Sequence, residues 1–154
     1  MQRFHRIVAA TDFSPGGDAG VGQAFSLATD ANCLVVLAHV IALAPPPNPL
    51  YAHYAVAPVP SAEQLDGIRA EAMRALEALV PAKARSQGVK VKLEVRAGQP
   101  VETLLDLAKQ VSADVLVVGD SGRGTLSRAL IGSVADRLVH HAPCSVLVAR
   151  QKQA

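Results

Sequence analysis

The chain has 154 residues, half of them apolar but only 3% aromatic, with 15 lysines and arginines against 13 acids for a net charge of +2. That length suits a single domain, 1–154, whose core must come from Ala, Val and Leu, a composition that fits a helix-covered parallel sheet better than a β-sandwich. The charge is too small to argue for nucleic acid, and no apolar run reaches the roughly 18 residues of a membrane span. The opening Met1-Gln-Arg-Phe-His-Arg6 carries no apolar h-region, so the expectation is a cytoplasmic protein without nucleic-acid or membrane partners.

The first apolar run, Phe4–Ala10, reads as a strand ending at Thr11-Asp12. Ser14-Pro15 is an N-cap and N1 pair that opens a helix. Gly16, Gly17, Gly20 and Gly22 weaken that helix by intrinsic propensity, so packing through Ala24, Phe25, Leu27 and Ala28 has to hold it. Cys33–Val40 is a second strand. The following stretch, Ala42–Pro60, carries six prolines with Tyr51, His53 and Tyr54; it is either a mobile crossover loop, or a lid over a ligand or a partner surface.

Ser61-x-x-Gln64 is a capping box for a long helix with Leu65, Ile68, Ala72, Leu76 and Leu79 on one face. Pro81 should split off its last turn and Gly88 should stop it. Val89, Val91, Leu93 and Val95 alternate with Lys90, Lys92, Glu94 and Arg96, the pattern of an edge strand with one wet face. A further helix runs from about Pro100 to Ser112 on Val101, Leu104, Leu105, Ala108 and Val111. Asp114–Gly119 and Cys144–Ala149 complete five strands alternating with helices, an α/β pattern with right-handed crossovers. Cys33 and Cys144 read as unpaired structural thiols.

Chemistry concentrates after the fourth strand, in Gly119-Asp-Ser-Gly122-Arg123-Gly124-Thr-Leu-Ser-Arg128-Ala-Leu-Ile-Gly132-Ser133. Glycines at a strand end let backbone N–H groups approach an anion, and the second Gly-Ser opens a helix at Val134 with more N–H donors and a hydroxyl. Two donor clusters separated by nine residues suit a polyphosphate. Arg123 and Arg128 either add charge to phosphates or are ordinary solvated arginines. Asp120 puts a negative charge beside the phosphates, unfavourable unless it points outward or holds a divalent ion. Asp12, at the end of the first strand, either caps the first helical turn near Ser14 or accepts hydrogen bonds from ribose hydroxyls.

The spacing Gly119-x2-Gly122-x9-Gly132-Ser133 resembles the G-x2-G-x9-G-[ST] signature of the ATP-binding branch of the universal stress protein family. Ile7-Val-Ala-Ala10-Thr11-Asp12-Phe-Ser14, Val36-Leu-Ala-His39-Val40 and His141-Ala-Pro143-Cys144-Ser-Val-Leu-Val148 resemble three further segments of that family, in its order and over nearly the whole chain. Ser121 departs from the histidine many members carry. The resemblance implies an open five-stranded parallel sheet of order 3-2-1-4-5 with helices on both faces, Rossmann-like and adenine-nucleotide α-hydrolase-like. It implies ATP, alone or with Mg²⁺ or Mn²⁺, held by Ala10, Thr11, Asp12, Val40, Gly119, Gly122, Arg123, Gly124, Gly132, Ser133 and Val134, with Val40 meeting the adenine edge through its backbone. It also implies a homodimer through the last strand, and Ser145–Ala149 is indeed an apolar run without the proline or inward charge that blunts an edge.

Other nucleotide and catalytic patterns fail. There is no G-x4-G-K-[ST], and Gly122-x-Gly124-x-x-Ser127 lies too late in the chain for a dinucleotide fingerprint. His140-His141-x-x-Cys144 lacks a second ligand cluster, and no serine or cysteine sits in a nucleophile motif. The expected function is a nucleotide-dependent stress-response or regulatory protein, at most a weak ATPase. The alternatives are a slow ATP hydrolase and a nucleotide-free interaction module of the same fold.

Overall fold

The computed structural model describes residues 3–43, 50, 59–120 and 131–152. Along the chain run β1 (Arg6–Ala10), α1 (Pro15–Leu27), β2 (Leu34–Ala42), α2 (Ala62–Ala78), α3 (Ala82–Ser86), β3 (Lys90–Gly98), α4 (Pro100–Gln110), β4 (Val115–Gly119), α5 (Ser133–His141) and β5 (Ser145–Ala149). The strands form one parallel sheet in the order β3-β2-β1-β4-β5, the order implied by the resemblance.

Because successive side chains of a strand point to opposite faces, each central strand feeds two cores, and its sequence reads as a continuous apolar run. Ile7, Ala9, Val35, Leu37, Val115 and Val117 pack with Val21, Ala24 and Phe25 of α1, Leu76 of α2 and Ala84 of α3. Val8, Val36, Ala38, Leu116 and Val118 pack on the other face with Val101, Leu104 and Leu107 of α4 and Ala135 and Leu138 of α5.

Local signals set the element boundaries. The Ser14 side chain accepts the Gly17 N–H at 3.1 Å and caps α1, with Pro15 in its first turn. The Ser61–Gln64 capping box is formed in both directions. Pro81 ends the long helical run and becomes the N-cap of α3. Gly88 follows α3 with φ +73°, the left-handed stop that glycine adopts without strain. Cys33 and Cys144 are free thiols just before β2 and β5, strands that β1 and β4 separate, and burial raises the Cys144 pKa.

Three packing details differ from the sequence reading. The glycines of α1 do more than weaken it. A Cβ on Gly20 would come within 3.2 Å of the Val118 carbonyl carbon, and Gly16 lies directly beneath Gly119, so the helix sits on β4 through its glycines. On α2 only Ala72 and Leu76 are buried, while Ile68 is 40% exposed. The wet face of β3 is wet only at its start. Lys90 and Lys92 are exposed, but Glu94 and Arg96 are half-buried, because Arg96 Nη2 reaches Gln110 Oε1 at the end of α4 (2.7 Å). Glu94 bridges Lys92 (2.7 Å) and Arg96 (3.4 Å), and those cations lower its pKa.

Candidate functional site

An open parallel sheet binds ligands where its strand order reverses, outside the carboxyl ends of the strands. Here that point lies between β1 and β4, and a cavity of about 660 Å³ occupies it. Ala10, Thr11 and Asp12 from the end of β1, Val40 from β2, Gly119 from β4, and Gly132, Ser133 and Val134 at the start of α5 all line it. Gly122, Arg123, Gly124, Ser121 and Arg128 lie outside the described residues, as does most of the Ala42–Pro60 stretch.

The β1 end of the cavity is a tight turn held by several hydrogen bonds. Thr11 is buried; its N–H donates to the Ala38 carbonyl (3.0 Å), and its hydroxyl donates to Asp18 Oδ1 (3.0 Å) while accepting the Phe13 N–H (2.9 Å). Asp12 Oδ1 accepts the N–H (3.0 Å) and the hydroxyl of Ser14. Asp12 therefore supports the α1 cap through Ser14, one of its two roles open from the sequence, and it also faces the cavity. Phe13 adopts φ +63°; for a bulky L-residue this left-handed backbone costs about 1–2 kcal/mol, offset here by the bonds on both sides. Gly17 leaves room for the turn, since a Cβ there would lie 2.7 Å from both Asp12 Oδ1 and Thr11 Oγ1.

Across the cavity, α5 starts without a side-chain cap, because its N-cap is Gly132. The N–H groups of its first turn thus end at the cavity wall formed by Ser133, Val134 and Ala135, and they present a partial positive charge there. The Gly132 N–H itself donates to the Asp120 carbonyl, and the Asp120 N–H donates to the Ala149 carbonyl of β5 (3.0 Å). The Asp120 carboxylate lies 3.9 Å from Arg150 Nε, a cation beyond β5 that offsets its charge. Gly119 lines the cavity, and its missing Cβ also meets a packing demand: a side-chain carbon there would approach the Gly16 carbonyl group to 2.7 Å.

The β2 end of the cavity is apolar, lined by Val40, Ile41, Ala42, Ile68, Pro100 and Leu104. One end thus suits a flat apolar group and the other an anion. Sequence reasoning missed Gly17, His39, Ile68 and Leu104 as lining residues. Ile68 and Leu104 read only as helix-face residues. His39 carried a signal, a polar side chain in an apolar run beside Val40 at a strand end. Its ring nitrogen Nδ1 lies 2.8 Å from the Thr11 carbonyl oxygen, and its ring packs on Phe13 with centroids 4.5 Å apart. The His140–His141 pair forms no metal site; His140 Nδ1 is 2.8 Å from the Asp136 carbonyl oxygen, and no cluster of three or more metal-ligating side chains occurs among the described residues.

The chain and its fold have counterparts in known proteins. Universal stress protein MJ0531 of Methanocaldococcus jannaschii is 28% identical over 150 residues, spanning 96% of this chain and 83% of that protein. Universal stress protein Sll1388 of Synechocystis is 34% identical over 86 residues, 56% of this chain and 55% of that protein, so the match spans about half of that relative. Among solved structures, the hypothetical protein MJ0577 shares the fold with a TM-score of 0.75 at 23% identity, covering 99% of this chain and all of that one. A universal stress protein in complex with cAMP matches with a TM-score of 0.62 at 25% identity, over 96% and 98% of the two chains. The sequence pattern that defines the universal stress protein family matches residues 3–150, nearly the full length, and the chain belongs to that family.

Proposed function

We propose that this chain is a single-domain, ATP-binding regulatory protein of the stress response, working as a homodimer joined through β5. The observation that carries the reading is the cavity at the β1/β4 reversal point, apolar at its β2 end and bordered by the uncapped start of α5 at the other. Its volume of about 660 Å³ falls within the usual range for small-ligand pockets, roughly 300–1,000 Å³. The cAMP complex of a relative supports an adenine nucleotide as the ligand class. In this reading Ala10 and Thr11 flank the ligand, Asp12 accepts ribose hydroxyls, and the Val40 backbone meets the adenine edge. Gly119, Gly122, Arg123, Gly124, Gly132, Ser133 and Val134 hold the phosphates, with Mg²⁺ or Mn²⁺ as an optional companion.

Binding rather than turnover is the proposed role. Three titratable side chains line the cavity among the described residues, and each is engaged: Asp12 with Ser14, Asp120 with Arg150, and His39 with the Thr11 carbonyl. The support for binding over turnover is the sequence, in which no serine or cysteine sits in a nucleophile motif and no P-loop lysine is present. Calorimetry with ATP, AMP and cAMP tests the reading. Wild type is expected to bind, and Gly122→Val and Gly132→Val are each expected to weaken ATP by at least about tenfold through blocked backbone approach. Unchanged affinity in both variants would overturn the site assignment.

A further inference from the structure

Ser14 holds the Asp12 carboxylate, and the backbone that carries Asp12 has a support of its own. The β1–β2 ladder ends at the pair Ala10–Ala38, and the Thr11 N–H makes one bond more, to the Ala38 carbonyl. The Thr11 carbonyl lies just past that ladder, and a side chain serves it: His39 Nδ1, at 2.8 Å. A carbonyl only accepts, so Nδ1 carries the hydrogen. The same imidazole packs on the Phe13 ring, and Phe13 holds the left-handed backbone of the turn. His39 therefore grips the residue before Asp12 by a hydrogen bond and the residue after it by ring contact. His39 also lines the cavity beside Asp12.

We infer that His39 is the positioning residue of the nucleotide site, fixing Asp12 to accept ribose hydroxyls and so making the cavity select nucleotides that carry them. The inference rests on the proposed nucleotide function. It separates His39 from a ligand-touching role, because the nitrogen that matters is Nδ1, which faces the protein, and not Nε2.

The test uses calorimetry with two probes, ATP and 2′,3′-dideoxy-ATP, on the full chain. Wild type should prefer ATP by about tenfold or more, the effect of a hydrogen bond to a charged group. His39→Gln, whose amide reproduces Nε2 and leaves Thr11 unserved, should lower ATP affinity about tenfold while changing dideoxy-ATP by less than about twofold. His39→Asn, whose amide nitrogen reproduces Nδ1 but not the ring contact, should keep more of the preference for ATP than His39→Gln does. Phe13→Asn keeps a residue tolerated at positive φ but removes the ring contact, and it should reduce the preference too, which secures the test if His39→Gln fails to fold. The inference is overturned if the two His39 variants behave in the opposite order. Equal losses for both probes, or a preference unchanged in Phe13→Asn, would also overturn it. Wild type that binds both probes equally removes the ribose role of Asp12 and the inference with it. Wild type that binds neither removes the nucleotide reading itself, a result distinct from failure of the His39 role.

Discussion

Gly119→Ala probes the seat of α1 on the sheet. The added Cβ would sit 2.7 Å from the carbonyl carbon and oxygen of Gly16 and 2.9 Å from the nitrogen of Gly17. All three are backbone atoms, so no side chain can rotate away and the helix itself must move off β4. Overpacking of this kind costs about 1–3 kcal/mol, and rigid backbone opposition places Gly119→Ala near 3. For a chain of this size that lowers the melting temperature by about 6–12 °C. Gly20→Ala, where the nearest atom is the Val118 carbonyl carbon at 3.2 Å, should cost less. Gly22→Ala and Gly67→Ala meet nothing within 4 Å in α1 and α2, so relief of glycine's helical penalty should stabilise each by about 0.5–1 kcal/mol. Thermal and urea unfolding of the four variants measures the series. Gly119→Ala as stable as Gly22→Ala would refute the glycine-mediated seat.

Turnover of ATP with Mg²⁺ or Mn²⁺ should fall far below the enzyme median of about 10 s⁻¹, because the sequence carries neither a nucleophile motif nor a P-loop lysine; a steady-state assay reaching that median would overturn the binding-protein reading. Val146→Lys or Val148→Lys on β5 should set like charges across a two-fold seam and shift dimer to monomer in light scattering; a wild type monomeric at high micromolar concentration would rule the seam out. Asp114 Oδ2 accepts the N–H groups of Arg6 and His5, each at 2.8 Å, and these bonds lower its pKa. Because the carboxyl titrates lower in the folded chain than in the unfolded one, its stabilisation is full above the ordinary carboxylate range near pH 4 and is lost as pH falls through the lowered folded value. Asp114→Ala should cost about 1 kcal/mol at pH 7, discounted for solvent exposure, and less once pH falls through the lowered folded value; an equal loss at neutral and acid pH in urea titrations would contradict the role.

The sheet was legible because its strands are buried on both faces, which writes them as unbroken Val, Leu, Ile and Ala runs, and because caps such as Ser14-Pro15 and Ser61-x-x-Gln64 act within a few residues of themselves. Strand order was not legible from periodicity, since an apolar run looks the same in any interior position; the family's motif order supplied it. The half-buried face of β3 was misread as wet for a related reason. Arg96 can bury its stem only because Gln110, 14 residues on, meets its guanidinium, and a contact of that range leaves no local pattern.

The site divides along the same line. Gly119, Gly132 and Ser133, marked in sequence by the glycine spacing and the helix start, line the cavity. Residues that complete the cavity by meeting across it stayed silent. His39, Ile68 and Leu104 belong to three different elements and converge only once β2, α2 and α4 are packed. The glycines show why one signal can carry two meanings. Gly119 reads in sequence as a place where a ligand approaches the backbone, and in the fold it is also where α1 approaches it. Both demands exclude a Cβ at one position, so a binding measurement alone cannot assign that glycine. Gly119→Ala therefore has to be read by unfolding and by affinity together, since a displaced α1 lowers stability and a blocked ligand does not.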